Sequence, residues 1–302
     1  MRVIRIATRA SKLAMWQSEH VAAELLKHFS QYKIEFIPIV SQGDKILDQA
    51  LTAIGGKALF VKALEQALLN NEADIAVHSV KDMGAELIPE MAMPAILLRA
   101  DVRDVYCQPQ HIPLAALPAG AVIGTASPRR ACQLKSFFPK LTTKLIRGNV
   151  QTRLEKMLSP EYDAIILASA GLQRLGLAEN ITEYLPVDKF IPAIGQGAIG
   201  VECLAVRDDL IAMLQVLNHA ATENCVKIER KCGALLGGGC HVPMGVYARV
   251  AKDTLVVAAM LGDVSGATIN VMEKFSLTTD YIKIADKVAQ NLLSQGGGKF
   301  LI

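Results

Sequence analysis

Short aliphatic runs alternate with amphipathic segments along most of this chain, and that rhythm constrains the fold more than any other feature. Residues 3–7, 33–40 and 74–78 read as strands. Ser11 is a suitable N-cap for a helix through His28, which would bury Leu13, Trp16, Val21, Leu25 and Phe29 at helical spacing. A second amphipathic helix is expected over 57–69, with Phe60, Leu64 and Leu68 on its inner face. After the proline-rich stretch 109–118 the pattern restarts. Strands at 121–124, 142–146 and 163–168 alternate with helices near 128–137, 150–158 and 170–175. Such alternation predicts two α/β units with mostly parallel sheets. From about residue 220 the rhythm changes. A helix over 220–235 runs into Gly237-Gly238-Gly239-Cys240, strand-like runs follow at 243–250, 254–261 and 268–276, and a helix closes at 280–294. This is a smaller α+β unit in which a meander is the simplest connection. No internal repeat is visible.

Composition narrows the functional classes. The length of 302 residues allows two or three domains, each with its own core, and 5% aromatic content makes those cores aliphatic. A net charge of +3 is too small for a general polyanion binder. Charges within Met1–Arg9 interrupt any signal-peptide core. The longest run without Lys, Arg, Asp or Glu, Val105–Pro128, carries Pro109, Pro113, Pro118, Gly120 and Gly124 and cannot form a spanning helix. The six cysteines (107, 132, 203, 225, 232, 240) form no CxxC pair, so neither a disulfide scaffold nor a zinc site is expected, and no metal is assigned. A soluble cytoplasmic protein with reduced thiols is the expectation.

Open parallel sheets bind ligands at the carboxyl ends of their strands. The residues that follow each expected strand share a character. They are Thr8, Arg9 and Ser11; Ser79, Lys81 and Asp82; Thr125 to Arg130; Arg147, Gly148 and Asn149; and Ser169 and Arg174. Basic and hydroxyl groups therefore collect at one end. Ser127 at an N-cap and Pro128 at the first helical position start a helix whose free N–H groups favour an anion. Arg129 and Arg130 in that first turn oppose the helix dipole, a cost that an anion would offset. The same pair in a solvated basic turn is the plainer alternative. From Val105 to Leu154 there is no Asp or Glu, yet Arg129, Arg130, Lys135, Lys140, Lys144, Arg147 and Arg153 occur. Carboxylates or phosphates are the expected guests. Asp82 is the exception: it either stabilises a developing cation and moves a proton, or belongs to an ordinary Lys–Asp turn. His78, inside a strand, reads as a packed residue and not as a base. Cys240 and His241 are neighbours and so point apart in an extended chain, which favours a thiol for covalent attachment over a Cys–His dyad. An inert cysteine in a glycine-rich turn is the alternative. Gly195-Gln196-Gly197-Ala198-Ile199-Gly200 fits GxGxxG, but Pro192 interrupts the preceding strand and the spaced acid is missing; Gly55-Gly56-Lys57 lacks the rest of a P-loop.

Assembled, these segments resemble the hydroxymethylbilane synthase family, also called porphobilinogen deaminases. The matching stretches are RIATRASKLAMWQ (5–17), GGKALFVKALE (55–65), DIAVHSVKD (74–82), GTASPRRACQL (124–134), RGNVQTRL (147–154), YDAIILASAGLQRLGL (162–177), PAIGQGAIGVEC (192–203) and GGGCHVPMG (237–245). The resemblance implies two periplasmic-binding-protein-like α/β domains, 1–98 with 198–216 and 99–197, and a C-terminal α+β domain, 217–302, carrying the cofactor cysteine. It implies head-to-tail condensation of four porphobilinogen molecules with release of ammonia, on a dipyrromethane primer joined by a thioether to Cys240, and hydrolytic release of hydroxymethylbilane. Asp82 matches the family's catalytic aspartate, which stabilises the azafulvene-like cation left when ammonia departs. Lys81, Ser127, Arg129 and Arg130 match positions that hold the cofactor, and Arg9, Ser11, Lys57, Arg147, Arg153 and Arg174 match positions that hold substrate carboxylates. A monomer with no membrane or nucleic-acid partner is implied. Ala53, Gln42 and Met83-Gly84 depart from the family pattern, which puts two carboxylate contacts and the rigidity of the loop after Asp82 in question. A non-enzymatic anion-binding module is the competing reading, since fold does not settle function. It would need neither Cys240 nor Asp82. Between its basic residues the stretch carries no aromatics except the adjacent Phe137 and Phe138, too few for a run of stacking platforms, which argues against nucleic acid.

Overall fold

The computed structural model describes residues 2–39, 58–237 and 242–301, with backbone alone at 58–60. The first hundred residues supply β1 (Arg2–Arg9), α1 (Lys12–His28), β2 (Tyr32–Ile39), α2 (Ala58–Leu69), β3 (Ile75–Ser79) and β4 (Met91–Ile96). Next come β5 (Asp104–Cys107), β6 (Val122–Gly124), α3 (Pro128–Phe137), β7 (Thr142–Lys144), α4 (Val150–Met157), β8 (Ala164–Ala168), α5 (Ser169–Arg174) and β9 (Glu183–Tyr184). The chain closes with β10 (Ile199–Leu204), α6 (Asp208–Leu214), α7 (Ala220–Leu235), β11 (Met244–Ala251), β12 (Thr254–Gly262), β13 (Thr268–Ser276) and α8 (Tyr281–Ser294).

The helix starts follow their caps. The Ser11 hydroxyl accepts the Ala14 N–H at 3.3 Å, Ser127 accepts the Arg130 N–H at 3.4 Å with Pro128 at the first helical position, and Asn149 accepts the Thr152 N–H at 2.9 Å.

Two compact units form, residues 1–100 with 197–224 and residues 101–196 with 225–302. The first is built on a sheet of order β2-β1-β3-β10-β4. β1 runs parallel to β2 and β3, whereas β10 runs antiparallel to β3 and β4. The second unit repeats the plan as β7-β6-β8-β5-β9, with β6 parallel to β7 and β8, and β5 antiparallel to β8 and β9. The expectation of mostly parallel sheets is corrected: half the pairings in each sheet are antiparallel. The strands responsible, β5 and β10, directly follow the points where the chain passes from one unit to the other. Pro38 and Pro94 fall on β2 and β4, both edge strands, where a missing N–H costs little.

Helices cover both faces of each α/β sheet. In the first unit Ile4, Ile6, Ile75, Val77 and Val201 pack with Val21 and Leu25 of α1 and Leu210 and Leu214 of α6. The other face packs Ala7 and Ala76 on Leu64 and Leu68 of α2. In the second unit Tyr106, Ile123 and Ile166 meet Leu134 of α3, while Val105, Ile165 and Leu167 meet Met157 of α4 and Leu172 of α5.

The C-terminal strands form the expected antiparallel meander, β11-β12-β13. β12 is buried on both sides. Val257, Ala259 and Leu261 join Cys232 of α7 and Val288 and Leu292 of α8, whereas Ala258 and Met260 join Cys132 of α3 and Ile191. That second contact places the meander in one unit with the β5–β9 sheet. Gly262 permits it, since a Cβ there would stand 2.5 Å from Cys132 Sγ. Among the described residues no helix is long and apolar enough to cross a membrane.

Candidate active site

In the first unit β1 and β3 lie in parallel register, Ile6 beside Ile75 and Ala7 beside Ala76, so the residues beyond their carboxyl ends converge. Arg9, Ser11, Gln17, His78, Ser79 and Asp82 line one cleft there, walled by Leu13, Val61 and Leu64. Ser11 Oγ is occupied as an acceptor by the cap of α1, which leaves its O–H to donate outward. Ser79 and Gln17 bind each other: Gln17 Nε2 donates to Ser79 Oγ at 2.8 Å, and the Ser79 hydroxyl stands 3.2 Å from Gln17 Oε1. Asp82 is half-buried at the end of a single 3-10 turn, Val80–Asp82, with Lys81 beside it. The cleft thus brings a cation, hydroxyl groups and a carboxylate into one lining. Such a set holds an anion with one part of a ligand and an N–H or a developing cation with another.

The second unit gathers the remaining basic residues at the carboxyl ends of β6, β7 and β8. Arg129 and Arg130 are both buried, and they share one carboxylate. Arg129 Nη1 donates to Asp104 Oδ2 at 2.7 Å and to the Ile191 carbonyl at 2.7 Å. Arg130 donates to Asp104 Oδ1 from Nε at 3.0 Å and Nη2 at 2.8 Å, and to the Ile166 carbonyl from Nη1 at 3.1 Å. Gln196 Nε2 adds a further donor to Asp104 Oδ1 at 2.9 Å. Burial works to raise the Asp104 pKa, but the two guanidinium charges and their hydrogen bonds outweigh it and hold the carboxyl well below the usual carboxylate range. The anion that the arginine pair demanded is therefore supplied first by the chain itself. Asp104 stands one residue before the acid-free stretch begins. The trio keeps one net positive charge, two guanidiniums less one carboxylate.

Arg147 is buried just before Gly148, whose φ of +120° suits glycine. Arg153 Nε reaches back to the Gly148 carbonyl at 2.8 Å, and Burial pushes Arg174 down to about 10, leaving it a cation at neutral pH. Ser127 caps α3. Lys57 and Cys240 lie outside the described residues. The other five cysteines are all buried, as expected, and burial pushes the thiols of Cys107 and Cys232 up to about 12 and those of Cys132 and Cys203 up to about 11. The GxGxxG-like segment opens strand β10 and not a helix, so it lacks the strand–turn–helix that holds a dinucleotide. Its glycines serve the backbone: Gly195 and Gly197 take φ of +66° and +86°, and the Gly195 N–H is bound by Glu229 Oε2 at 2.7 Å. Sequence reading passed over Gln17, Asp104 and Glu202, polar residues in apolar surroundings whose partners are 62, 25 and 124 residues away.

Comparison with known proteins gives this arrangement a family. The profile "Porphobilinogen deaminase, dipyromethane cofactor binding domain" matches residues 4–212, and "Porphobilinogen deaminase, C-terminal domain" matches residues 223–294. The chain is 45% identical over 302 residues to the porphobilinogen deaminase of Chromobacterium violaceum, covering 100% of this chain and 97% of that one. With the porphobilinogen deaminase of Laribacter hongkongensis the identity is 44% over 296 residues, 98% of this chain and 96% of the relative. The chain belongs to the porphobilinogen deaminase family. Among solved structures, the probable amino-acid ABC transporter extracellular-binding protein ytmK from Bacillus subtilis aligns with a TM-score of 0.43 at 11% identity, over 76% of this chain and 96% of that one. The porphobilinogen deaminase family's dipyrromethane carries carboxylate side chains and pyrrole N–H groups. The cleft's lining, a guanidinium, hydroxyls and a carboxylate, fits that chemistry.

Proposed function

We propose that the protein joins four porphobilinogen molecules head to tail on a dipyrromethane primer and releases hydroxymethylbilane by hydrolysis, with the chemistry centred on Asp82. The observation that carries this reading is the cleft in which Asp82 shares walls with Arg9 and Ser11. At each addition the bond from the substrate's methylene carbon to its amino nitrogen breaks and a carbon–carbon bond forms. The proton lost from the attacked pyrrole carbon balances the ammonia released. When bound, the dipyrromethane supplies the pyrrole carbon that accepts the first unit. Asp82 accepts a pyrrole N–H and stabilises the positive charge that grows on the substrate as ammonia leaves. Arg9, Ser11 and Lys57 orient substrate carboxylates in the first unit, as do Arg147, Arg153 and Arg174 in the second. Planar guanidiniums suit that task.

Lys81, Ser127, Arg129 and Arg130 hold the cofactor. For the arginine pair, the net positive charge left by Asp104 supports this assignment. Cys240 is the attachment point. The five cysteines among the described residues are buried, which disfavours each of them as the attachment point. A tethered primer makes each addition effectively intramolecular. We assign the work to a cytoplasmic monomer, with functional parts 1–98 plus 198–216, 99–197 and 217–302.

Intact mass spectrometry under denaturing conditions tests this reading. The expected increment equals two porphobilinogen units less two ammonia, mapped to the peptide containing Cys240. An unmodified mass that gains nothing on adding porphobilinogen overturns it and leaves an anion-binding module.

A further inference from the structure

Beneath the cleft lies a buried histidine–glutamate pair that the reaction as described does not use. β3 and β10 run antiparallel with His78 opposite Gly200 and Ala76 opposite Glu202, so His78 and Glu202 are diagonal neighbours on one face. That face meets α2, whose Leu64 and Leu68 pack on Ala76. His78 Nε2 lies 2.9 Å from Glu202 Oε2, and the two side chains are 5% and 0% exposed. Glu65 of α2 is buried in the same layer, where burial first and the Glu202 charge second raise its carboxyl.

Stability does not account for this arrangement. A buried polar pair is on balance no more stabilising than an apolar pair of the same volume. Glu202 Oε1, moreover, has no hydrogen-bond partner among the described residues, a further cost. What the pair does have is a place. His78 lines the cleft four residues before Asp82, and the intervening turn is fastened to the same strand that carries Glu202. The Val80 N–H donates to the Ala198 carbonyl at 3.1 Å. The Val80 side chain lies over Gly200, where a Cβ would come within 3.2 Å of Val80 Cγ2 and 2.7 Å of Met93 Sδ. On the opposite face of β3, Gln17 of α1 grips Ser79. The end of β3 is thus held from α1 on one side and from β10 on the other, immediately before the catalytic carboxylate.

We propose that Glu202 is a positioning residue for Asp82, acting through His78 and the fastened Val80 turn. The proposal rests on the assignment of Asp82 as the catalytic carboxylate. Glu202 touches no reacting atom. It fixes where β3 ends, and hence where the turn presents Asp82. A displacement of about an ångström at a reacting group costs up to ~100-fold in rate.

The test is a double-mutant cycle on the cofactor-loaded enzyme, with porphobilinogen as substrate. Glu202→Gln keeps the shape and can still hydrogen-bond His78, but it lacks the charge. The expected result is a kcat lowered about tenfold or more, KM within about threefold, and the full dipyrromethane mass retained. The deciding measurement is Glu202→Gln combined with Asp82→Asn. Because both changes act at one carboxylate, the double variant should be no slower than Asp82→Asn alone. A kcat within twofold of the parent, or losses that multiply in the double variant, overturns the proposal. Should Glu202→Gln not fold or not load cofactor, the same cycle with His78→Asn decides; failure of both to fold makes the pair structural and also overturns it. A parent that carries no cofactor mass and consumes no porphobilinogen would instead sink the functional reading itself.

Discussion

Arg130 closes on a single oxygen of Asp104, with Nε at 3.0 Å and Nη2 at 2.8 Å, while Arg129 takes the other oxygen at 2.7 Å. All three side chains are buried. One carboxylate from the start of β5 therefore neutralises half of the positive charge in the first turn of α3. Gln196 and the Ile191 carbonyl draw the segment leading to β10 into the same network.

Asp104→Asn removes a charge that two buried guanidiniums share. Breaking such a pair costs about 3–5 kcal/mol, and the loss should appear as a lowered melting point of the second unit. The pH dependence follows from the sign of the shift. The folded carboxyl titrates below its unfolded value of about 3.9, so its stabilisation is complete above that value and fades as pH falls through the folded one. Thermal melts at pH 7 and pH 3 should show the gap between parent and variant narrowing in acid. A gap that is constant or widens would contradict the account.

Gly262→Ala forces a methyl group towards Cys132 Sγ at 2.5 Å and the Ala267 carbonyl at 2.7 Å. Overpacking of this kind costs about 1–3 kcal/mol. Cys132→Ala in the same chain removes the sulfur but not the carbonyl, so it should restore part of the loss. Denaturant midpoints of the two single variants and the double variant measure this coupling, and simple additivity would show that the helix and the meander do not meet there.

The elements legible in the sequence were those with local signals. α1, α3 and α4 begin at capped serines and an asparagine, and β11 to β13 repeat at regular spacing. β4, β5, β9 and β10 were missed. β4 contains Pro94, β9 is two residues long, and β5 and β10 acquire their character only from partners distant in sequence. The site divided in the same way. Arg9, Ser11 and Asp82 follow strands and could be found by asking what lies at strand ends. Asp104 could not be paired with Arg129 and Arg130 from spacing, because the pairing depends on β5 entering the sheet antiparallel beside β8. Glu202 is hidden for the same reason, lying on a return strand 124 residues beyond its histidine.

Native thiol labelling separates the cysteines. Cys107, Cys132, Cys203, Cys225 and Cys232 are buried, so a maleimide applied to the folded protein should leave all five unmodified. With Cys240 held in a thioether, the loaded enzyme should then show no fast-reacting thiol, and a cofactor-free preparation should show one. Peptide mapping checks the assignment. Rapid labelling of any of the five would mean that its unit opens readily, and rapid labelling of Cys240 in the loaded protein would contradict attachment there.

Asp82→Asn keeps the size of the side chain and its place at the end of the Val80–Asp82 turn, but it exchanges a charged acceptor for a neutral amide. If the carboxylate holds a pyrrole N–H and offsets positive charge as ammonia leaves, the change weakens the transition state far more than the resting complex. Turnover should fall at least ~100-fold, the range expected for the loss of a group that stabilises charge or moves a proton. Cofactor loading should change much less, because Cys240 and the arginines are untouched. Steady-state consumption of porphobilinogen and the intact denatured mass, measured on one preparation, separate the two effects. A variant that keeps both its cofactor and its rate would return Asp82 to an ordinary turn residue beside Lys81.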